Sequence, residues 1–255
     1  MKEQLHVTIG EESVSLLLHG SGDYVYFPLP QGAFGDGGLM ARPAAVWLGE
    51  RLKRHNRSVC TITVNTGQTA IRLCVLSNND KKTSQRIIHE KIAKCFPSTD
   101  HFNDKTHTFG YDIIGGTLFM AAFPKGLSDS LMQMCREWGF GTRAIKRIGT
   151  VEHMLTRLYC EKYNASLIII IPQGQGIRLI FISENRPTGV YFISNDPEYR
   201  LAELDRVFLI RCPVPERELA VITKGFGGVG WMKDYFANMD IILIEDKTLG
   251  RDIHE

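Results

Sequence analysis

The sequence predicts an α/β fold of two related halves, with a small subdomain inserted into the first. Three observations predict it. Three short strand-like runs split by polar or glycine turns open the chain, the same strand–strand–strand–helix order returns at Ser166, and a separate group of strands with one helix interrupts the first half. The division that follows is 1–165 for the first half, with the insert at about 71–114, and 166–255 for the second.

The opening runs are "LHVTIG", "SVSLLLHG" and "DYVYFPLP", spaced as antiparallel hairpins require. The loop "QGAFGDGG" leads into a helix expected from Leu39 to His55, with Met40, Ala44, Trp47, Leu48 and Leu52 on one face. Strand "SVCTITVN" follows. The insert then holds "AIRLCVLS", a helix from Lys82 to Cys95 broken at Pro97, the loop "STDHFNDKTH" and strand "HTFGYDII". After "TLFMAAF", a helix carries Leu127, Leu131, Cys135 and Trp138 on one stripe and ends at Gly139, where a left-handed cap suits glycine. Strand "TRAIKRIG" runs into a helix opened by Thr150, with Val151, Met154, Leu155, Leu158 and Tyr163 inward.

In the second half "SLIIIIPQ", "GIRLIFIS" and "TGVYFIS" form another meander, and a helix is expected from Pro197 to Ile210. The segment "ELAVITKGFGGVGWMKDYF" then runs an apolar strand into Gly225, Gly227, Gly228 and Gly230 before an amphipathic stretch from Trp231. This loop is read in two ways, as a tight strand-to-helix turn or as a nucleotide-binding loop. It matches neither G-x-x-x-x-G-K-[ST] nor G-x-G-x-x-G with an acidic partner about twenty residues on.

Composition excludes several classes. Thirty basic and 28 acidic side chains leave a net charge of +2, which is not a surface built for nucleic-acid phosphates or anionic lipid. The basic run "ERLKRHNR" reads as a solvated helix face. The longest strongly aliphatic run, Leu167–Ile171, falls far short of the roughly 20 residues of a membrane span. No leader of signal-peptide type is seen, and the six cysteines form no C-x-x-C pair, so a cytoplasmic protein with reduced thiols is expected.

Two meander-plus-helix halves with a late strand–glycine–helix unit resemble the actin-like ATPase (ribonuclease H-like) architecture, where nucleotide lies between two related α/β domains. The stretch "GGTLFMAAFPKGLSDSLMQMCREWGFGTRAIKRIGTVEHMLTRL", Gly115–Leu158, is similar to the matching part of PilM-type pilus-assembly proteins and of the cytoplasmic domain of the type II secretion protein GspL. The resemblance places Gly10 at the first phosphate-side turn, Gly174 and Gly176 at the second, and Gly225, Gly227 and Gly228 at the adenosine-side unit. It implies ATP with Mg²⁺ as the ligand such a cleft takes. The chain departs from that pattern. Where Asp-x-Gly turns are expected it has Thr8-Ile9-Gly10 and Pro172-Gln173-Gly174, so both acids that handle the metal and the attacking water are missing. Arg178 stands where the second motif has a small hydroxyl residue.

The expectation is therefore a cytoplasmic scaffold without catalytic residues or metal ligands. Backbone amides at the glycines could still hold phosphate without turnover. The resemblance implies docking of the cytoplasmic N-terminal tail of a PilN-like single-span membrane protein near the exposed edge of "HTFGYDII" or "AIRLCVLS", and coupling to the motor ATPase of the pilus or secretion machine. An active actin-like ATPase or small-molecule kinase is the alternative, and a filament-forming actin relative a further one.

Other groupings read as structural. "QGAFGDGGLMARP" reads as a mobile loop over the cleft, Glu11-Glu12 as a solvated hairpin turn, and His101 and His107 about Asp104 as loop histidines whose spacing fits no common ligand pattern. No serine or cysteine sits in a G-x-S-x-G elbow.

Overall fold

The computed structural model describes residues 4–10, 13–19, 24–30, 46–47, 49–50, 59–76, 85–97, 103, 105–137, 145–162, 166–173, 176–210, 219–223, 230–238 and 242–246. The first half forms a sheet from β1 (Gln4–Gly10), β2 (Ser13–His19), β3 (Tyr24–Pro28), β4 (Val59–Asn65) and β8 (Ile145–Thr150), in the order β3-β2-β1-β4-β8. The second half repeats it with β9 (Leu167–Gln173), β10 (Gly176–Ser183), β11 (Arg186–Ser194), β12 (Leu219–Thr223) and β13 (Ile242–Asp246), in the order β11-β10-β9-β12-β13. In each sheet the hairpin pairs are antiparallel and the last two additions are parallel. The repeat expected from element order is therefore present in the pairing. β13, which the sequence reading did not single out, completes the second copy.

The third sheet has the order β5-β7-β6, all antiparallel, from β5 (Ala70–Val75), β6 (His107–Ile114) and β7 (Thr117–Pro124). β7 lies beyond the 71–114 stretch in sequence and is the central strand. Helix α1 (Gln85–Cys95) covers one face through Ile88, which packs with Phe96, Leu118, Met120 and Ala122. Helix α2 (Lys125–Glu137) follows β7 directly, and its Leu127 and Leu131 are buried as its stripe predicts.

Helix α3 (Val151–Lys162) is capped as expected: Thr150 Oγ1 accepts a hydrogen bond from the His153 amide at 3.2 Å. Burial does not follow one stripe, however. Val151, Glu152, His153, Leu155, Thr156, Tyr159 and Cys160 are all buried, because α3 lies between the first sheet, the third sheet and the second half. One apolar cluster joins Ile71 and Phe119 of the third sheet, Val151 and Leu155 of α3, and Ile169, Ile171 and Ile180 of the second sheet. The other face of the second sheet, with Ile168, Ile170 and Leu179, packs on Leu204 of α4 (Arg200–Ile210) and on Met232 and Phe236 of α5 (Gly230–Asn238). The unbroken apolar run of β9 thus reflects a central strand covered on both faces.

Two hairpin turns bring the third sheet onto the second half. Gly115 and Gly116 turn β6 into β7 at φ of 56° and 81°, and Glu184 and Asn185 turn β10 into β11 at 50° and 59°. A Cβ at Gly115 would collide with the Asn185 carbonyl, so glycine is needed there for contact as well as for its backbone angle.

Boundaries differ in places. α4 is regular from Arg200, and the turn at 197–199 leads into it, the Asp196 carbonyl accepting the first helical hydrogen bond from the Arg200 amide at 2.9 Å. Of the helix expected over Leu39–His55, only 46–47 and 49–50 are described; they are helical, and the Trp47 ring meets Phe27 edge-on. The "QGAFGDGG" loop, residues 82–84, Glu11-Glu12, Trp138-Gly139, Tyr163, His101 and Asp104 lie outside the described residues. Among the described residues no helix is long and apolar enough to cross a membrane.

Candidate functional site

Strands β1 and β4 run parallel and end together, with Gly10 opposite Asn65. β9 ends at Pro172-Gln173, and β10 starts at Gly176, opposite Gln173. These strand ends meet where the two halves join, and side chains hydrogen-bond across the junction. Asn65 Nδ2 donates to the Pro172 carbonyl at 3.1 Å. Gln173 Nε2 donates to Asn65 Oδ1 at 2.9 Å and to Glu152 Oε1 at 2.7 Å. Arg178 Nη2 donates to the Thr69 carbonyl at 2.8 Å, and its guanidinium lies 5.1 Å from the centre of the Phe192 ring. Each of these polar bonds ties a residue of the first half or its insert to one of the second.

Glu152 and Arg178 carry the charge here. The Glu152 side chain is fully buried, and Arg178 Nε stands 3.6 Å from its Oε1. Burial pushes the Glu152 carboxyl above its ordinary value, and the Arg178 charge and nearby hydrogen bonds offset this only in part. Burial likewise pushes Arg178 down, with Glu152 opposing and Arg72 reinforcing the shift. Both partners move toward neutrality, so desolvation exceeds their attraction. The separation agrees, being well beyond the 2.7–2.9 Å or so of a hydrogen-bonded arginine–carboxylate pair.

The residues singled out in the sequence distribute as follows. Gly10 is buried at the end of β1. Gly176 is buried too, and a Cβ there would strike the Ile193 carbonyl and the Phe192 ring, so packing against β11 requires glycine at this position. Gly174, Gly225, Gly227 and Gly228 lie outside the described residues. Arg178 adds charge beside the second turn as its position suggested, and its partners are Thr69 and Glu152. Sequence reasoning missed Glu152 and Asn65. An acidic residue in the first turn of a helix is ordinarily a partner for the helix dipole, so nothing marked Glu152 as buried.

A second feature lies on the other side of α3. β6 is an edge strand, bonded only to β7 among the described strands. Beside it runs a groove of about 270 Å³ lined by Thr108, Gly110, Tyr111, Phe123, Ser128, Thr150 and His153. Tyr111 and Ile113 are exposed large apolar residues on the same strand. At one end Asp112 Oδ2 accepts from His153 Nε2 at 2.7 Å and from Arg157 Nη1 at 3.2 Å. Burial pushes the Asp112 carboxyl up, but the hydrogen bonds from His153 and the Ile113 amide, with the charges of His153 and Arg157, outweigh it and hold it below its ordinary value. His107, expected in a loop, is the half-buried first residue of β6. Among the described residues no three His, Cys, Asp or Glu side chains gather where they could hold a metal ion.

Twin sheets of this topology, joined through a buried helix and carrying one small inserted sheet, define an actin-like ATPase fold. Solved structures share it. A chain of a PilM-PilN type IV pilus biogenesis complex matches with a TM-score of 0.67 at 13% identity, over 95% of this chain and 88% of that one. A Bacteroides thetaiotaomicron protein described as having an actin-like ATPase fold and unknown function matches at 0.62 and 9% identity, over 96% and 91%. The cytoplasmic domain of EpsL, an inner membrane component of the Vibrio cholerae type II secretion system, matches at 0.54 and 8%, over 96% and 86%. No model of a protein family and no curated protein sequence matches the chain.

Proposed function

We propose that this protein is a non-catalytic actin-like scaffold at the cytoplasmic face of a type IV pilus or type II secretion assembly, and that it docks the tail of a PilN-like single-span membrane protein. In this reading it sits at the inner membrane through that partner and couples it to the machine's motor ATPase. The observation that carries the proposal is the groove beside β6, whose outer edge has no partner among the described strands. An extended segment laid along a free strand edge gains backbone hydrogen bonds, and side chains entering the groove supply selectivity. Gly110 leaves space there, since a Cβ on it meets nothing within 4 Å.

The junction between the halves supports the non-catalytic part. Its turns carry Thr8, hydrogen-bonded to Thr63, and Pro172, whose carbonyl is taken by Asn65. The one carboxylate among these contacts, Glu152, faces Gln173 and Arg178. That donor set does not suit a magnesium-bound triphosphate, which needs oxygen ligands around a hydrated cation and cationic or amide groups around phosphate. Any nucleotide held by this protein is therefore bound weakly and without turnover.

The test is binding of a synthetic peptide with the N-terminal cytoplasmic sequence of a PilN-like single-span membrane protein from the same genome. Saturable binding by the wild type, lost in Gly110→Trp, is expected. No binding at any concentration would overturn the docking. The rival is an active ATPase or small-molecule kinase, and the buried Glu152 carboxylate in the junction is the observation in its favour. Steady ATP turnover with Mg²⁺ that disappears in Glu152→Gln would establish it, whereas a thermal-shift titration with ATP and ADP that leaves stability unchanged supports the scaffold.

A further inference from the structure

At the junction Arg178 Nε and Thr69 Oγ1 lack a hydrogen-bond partner, and so do two buried oxygens of adjoining groups, Glu152 Oε2 and Gln173 Oε1. They belong to groups already in contact, since Gln173 Nε2 donates to Glu152 Oε1 at 2.7 Å. Glu152 is 0% exposed and Gln173 2%. A buried acceptor left unpaired is unfavourable, and two on adjoining groups call for a common explanation. Turning the amide of Gln173 over does not help. Asn65 Nδ2 is committed to the Pro172 carbonyl, so Asn65 Oδ1 faces Gln173 and requires a donor there.

One proton removes both defects. A carboxylic acid beside a carboxamide accepts the amide N–H on one oxygen and donates its O–H to the amide oxygen from the other. We propose that Glu152 is a proton-binding residue of the joined halves: its carboxyl is protonated there and donates to Gln173 Oε1, and the proton is released when the halves separate or the chain unfolds.

The surrounding charges allow this. From β10, Arg178 favours the anion: its buried Nε, which has no hydrogen-bond partner, lies 3.6 Å from Glu152 Oε1, beyond hydrogen-bond reach, while Nη2 is held by the Thr69 carbonyl and the guanidinium lies over the Phe192 ring. From β5, Arg72 repels Arg178. On α3 itself, His153 turns to Asp112, while Arg157 is shared between Asp112 and Glu161. The Thr150 hydroxyl favours the anion weakly, and burial outweighs all of these. The inference rests on the reading of the junction as non-catalytic, because a protonated Glu152 is neither a base nor a metal ligand. It does not depend on what the groove binds.

The sign follows directly. A carboxyl raised in the folded state contributes stability that is fully present below its ordinary value and is lost as pH rises through the raised value. Difference infrared spectroscopy of the full chain at neutral pH, comparing wild type with Glu152→Gln, reads the proton itself. The expected result is a protonated-carboxyl C=O band in the wild type that is missing from the variant. Urea unfolding across the same pH range should show E152Q matching the wild type in acid and exceeding it in alkali, since glutamine makes both hydrogen bonds without a proton. If E152Q does not fold, Gln173→Leu takes its place, and the band is expected to shift because its acceptor is gone. Absence of the band from the wild type, or a band unmoved by either substitution, overturns the proposal. ATP turnover abolished by E152Q would instead sink the non-catalytic reading, and it is measured separately.

Discussion

Glu152 and His153 are consecutive in the first turn of α3, yet Glu152 hydrogen-bonds Gln173 across the junction at 2.7 Å while His153 hydrogen-bonds Asp112 at the groove wall at 2.7 Å. Neighbours on a helix point about 100° apart, so a helix buried on several sides can serve two compartments from adjacent positions. Thr150, which caps this turn, also lines the groove. The first turn of α3 is thus common to the junction and the groove, and disturbance of one reaches the other through a few bonds.

Blocking the groove tests its role with little effect on folding. A side chain at Gly110 enters open space, so Gly110→Trp should change stability by no more than about 0.5 kcal/mol, as for an ordinary surface position. Peptide affinity measured by calorimetry should fall at least tenfold, which corresponds to about 1.4 kcal/mol.

Leu155 is fully buried in the apolar cluster shared by α3, the third sheet and the second sheet. Leu155→Ala should cost about 2–5 kcal/mol. Because the cluster spans both halves, urea unfolding followed by circular dichroism should stay a single transition moved to lower denaturant. Two separated transitions would show that the halves fold independently.

The two turn glycines should respond unequally to alanine. Both have positive φ, a strain of about 1–2 kcal/mol for a residue with a Cβ. Only at Gly115 does that Cβ also collide, with the Asn185 carbonyl and Arg186, whereas at Gly116 it meets nothing. Thermal unfolding should therefore show Gly115→Ala to be clearly the less stable.

Arg178→Met separates a neutral Glu152 from an ionised one. Stripping the partner from a buried ionised carboxylate costs about 3–5 kcal/mol. With Glu152 protonated the loss should stay below about 3 kcal/mol, the range for hydrogen bonds of a charged donor, here the one to the Thr69 carbonyl.

Asp112 supplies the opposite pH limb. Its carboxyl is held below its ordinary value of 3.8, so its stabilising effect is present above that value and lost as pH falls through the lowered one. Asp112→Asn should be less stable than the wild type at neutral pH, with the gap closing in strong acid, as read from urea midpoints.

Much of the fold was legible because it depends on local pattern. Alternating runs marked the strands, the turn of glycine and polar residues after each marked the hairpins, and Thr150 before an apolar stripe marked α3. β13 escaped because "ILIED" is short and follows a helix without a hairpin turn to announce it. The placement of β7 between β5 and β6 escaped because pairing order is a long-range property that residue pattern does not encode. Of the site, the missing turn acids and the oddly placed Arg178 could be read directly, but Glu152 and Asn65 could not.

The sequence by itself determined the two-fold repetition of strand order, the interruption of the first copy and the replacement of the expected aspartates by Thr8 and Pro172, since each is written in neighbouring residues. Only the tertiary structure decided that Glu152, Gln173, Asn65 and Arg178 meet, and that β6, bonded only to β7 among the described strands, runs beside a groove. Those contacts join residues as far as 108 positions apart. Their energetics turn on burial, which penalises the charge of a carboxylate with no exposed surface, such as Glu152, and not that of one at the surface.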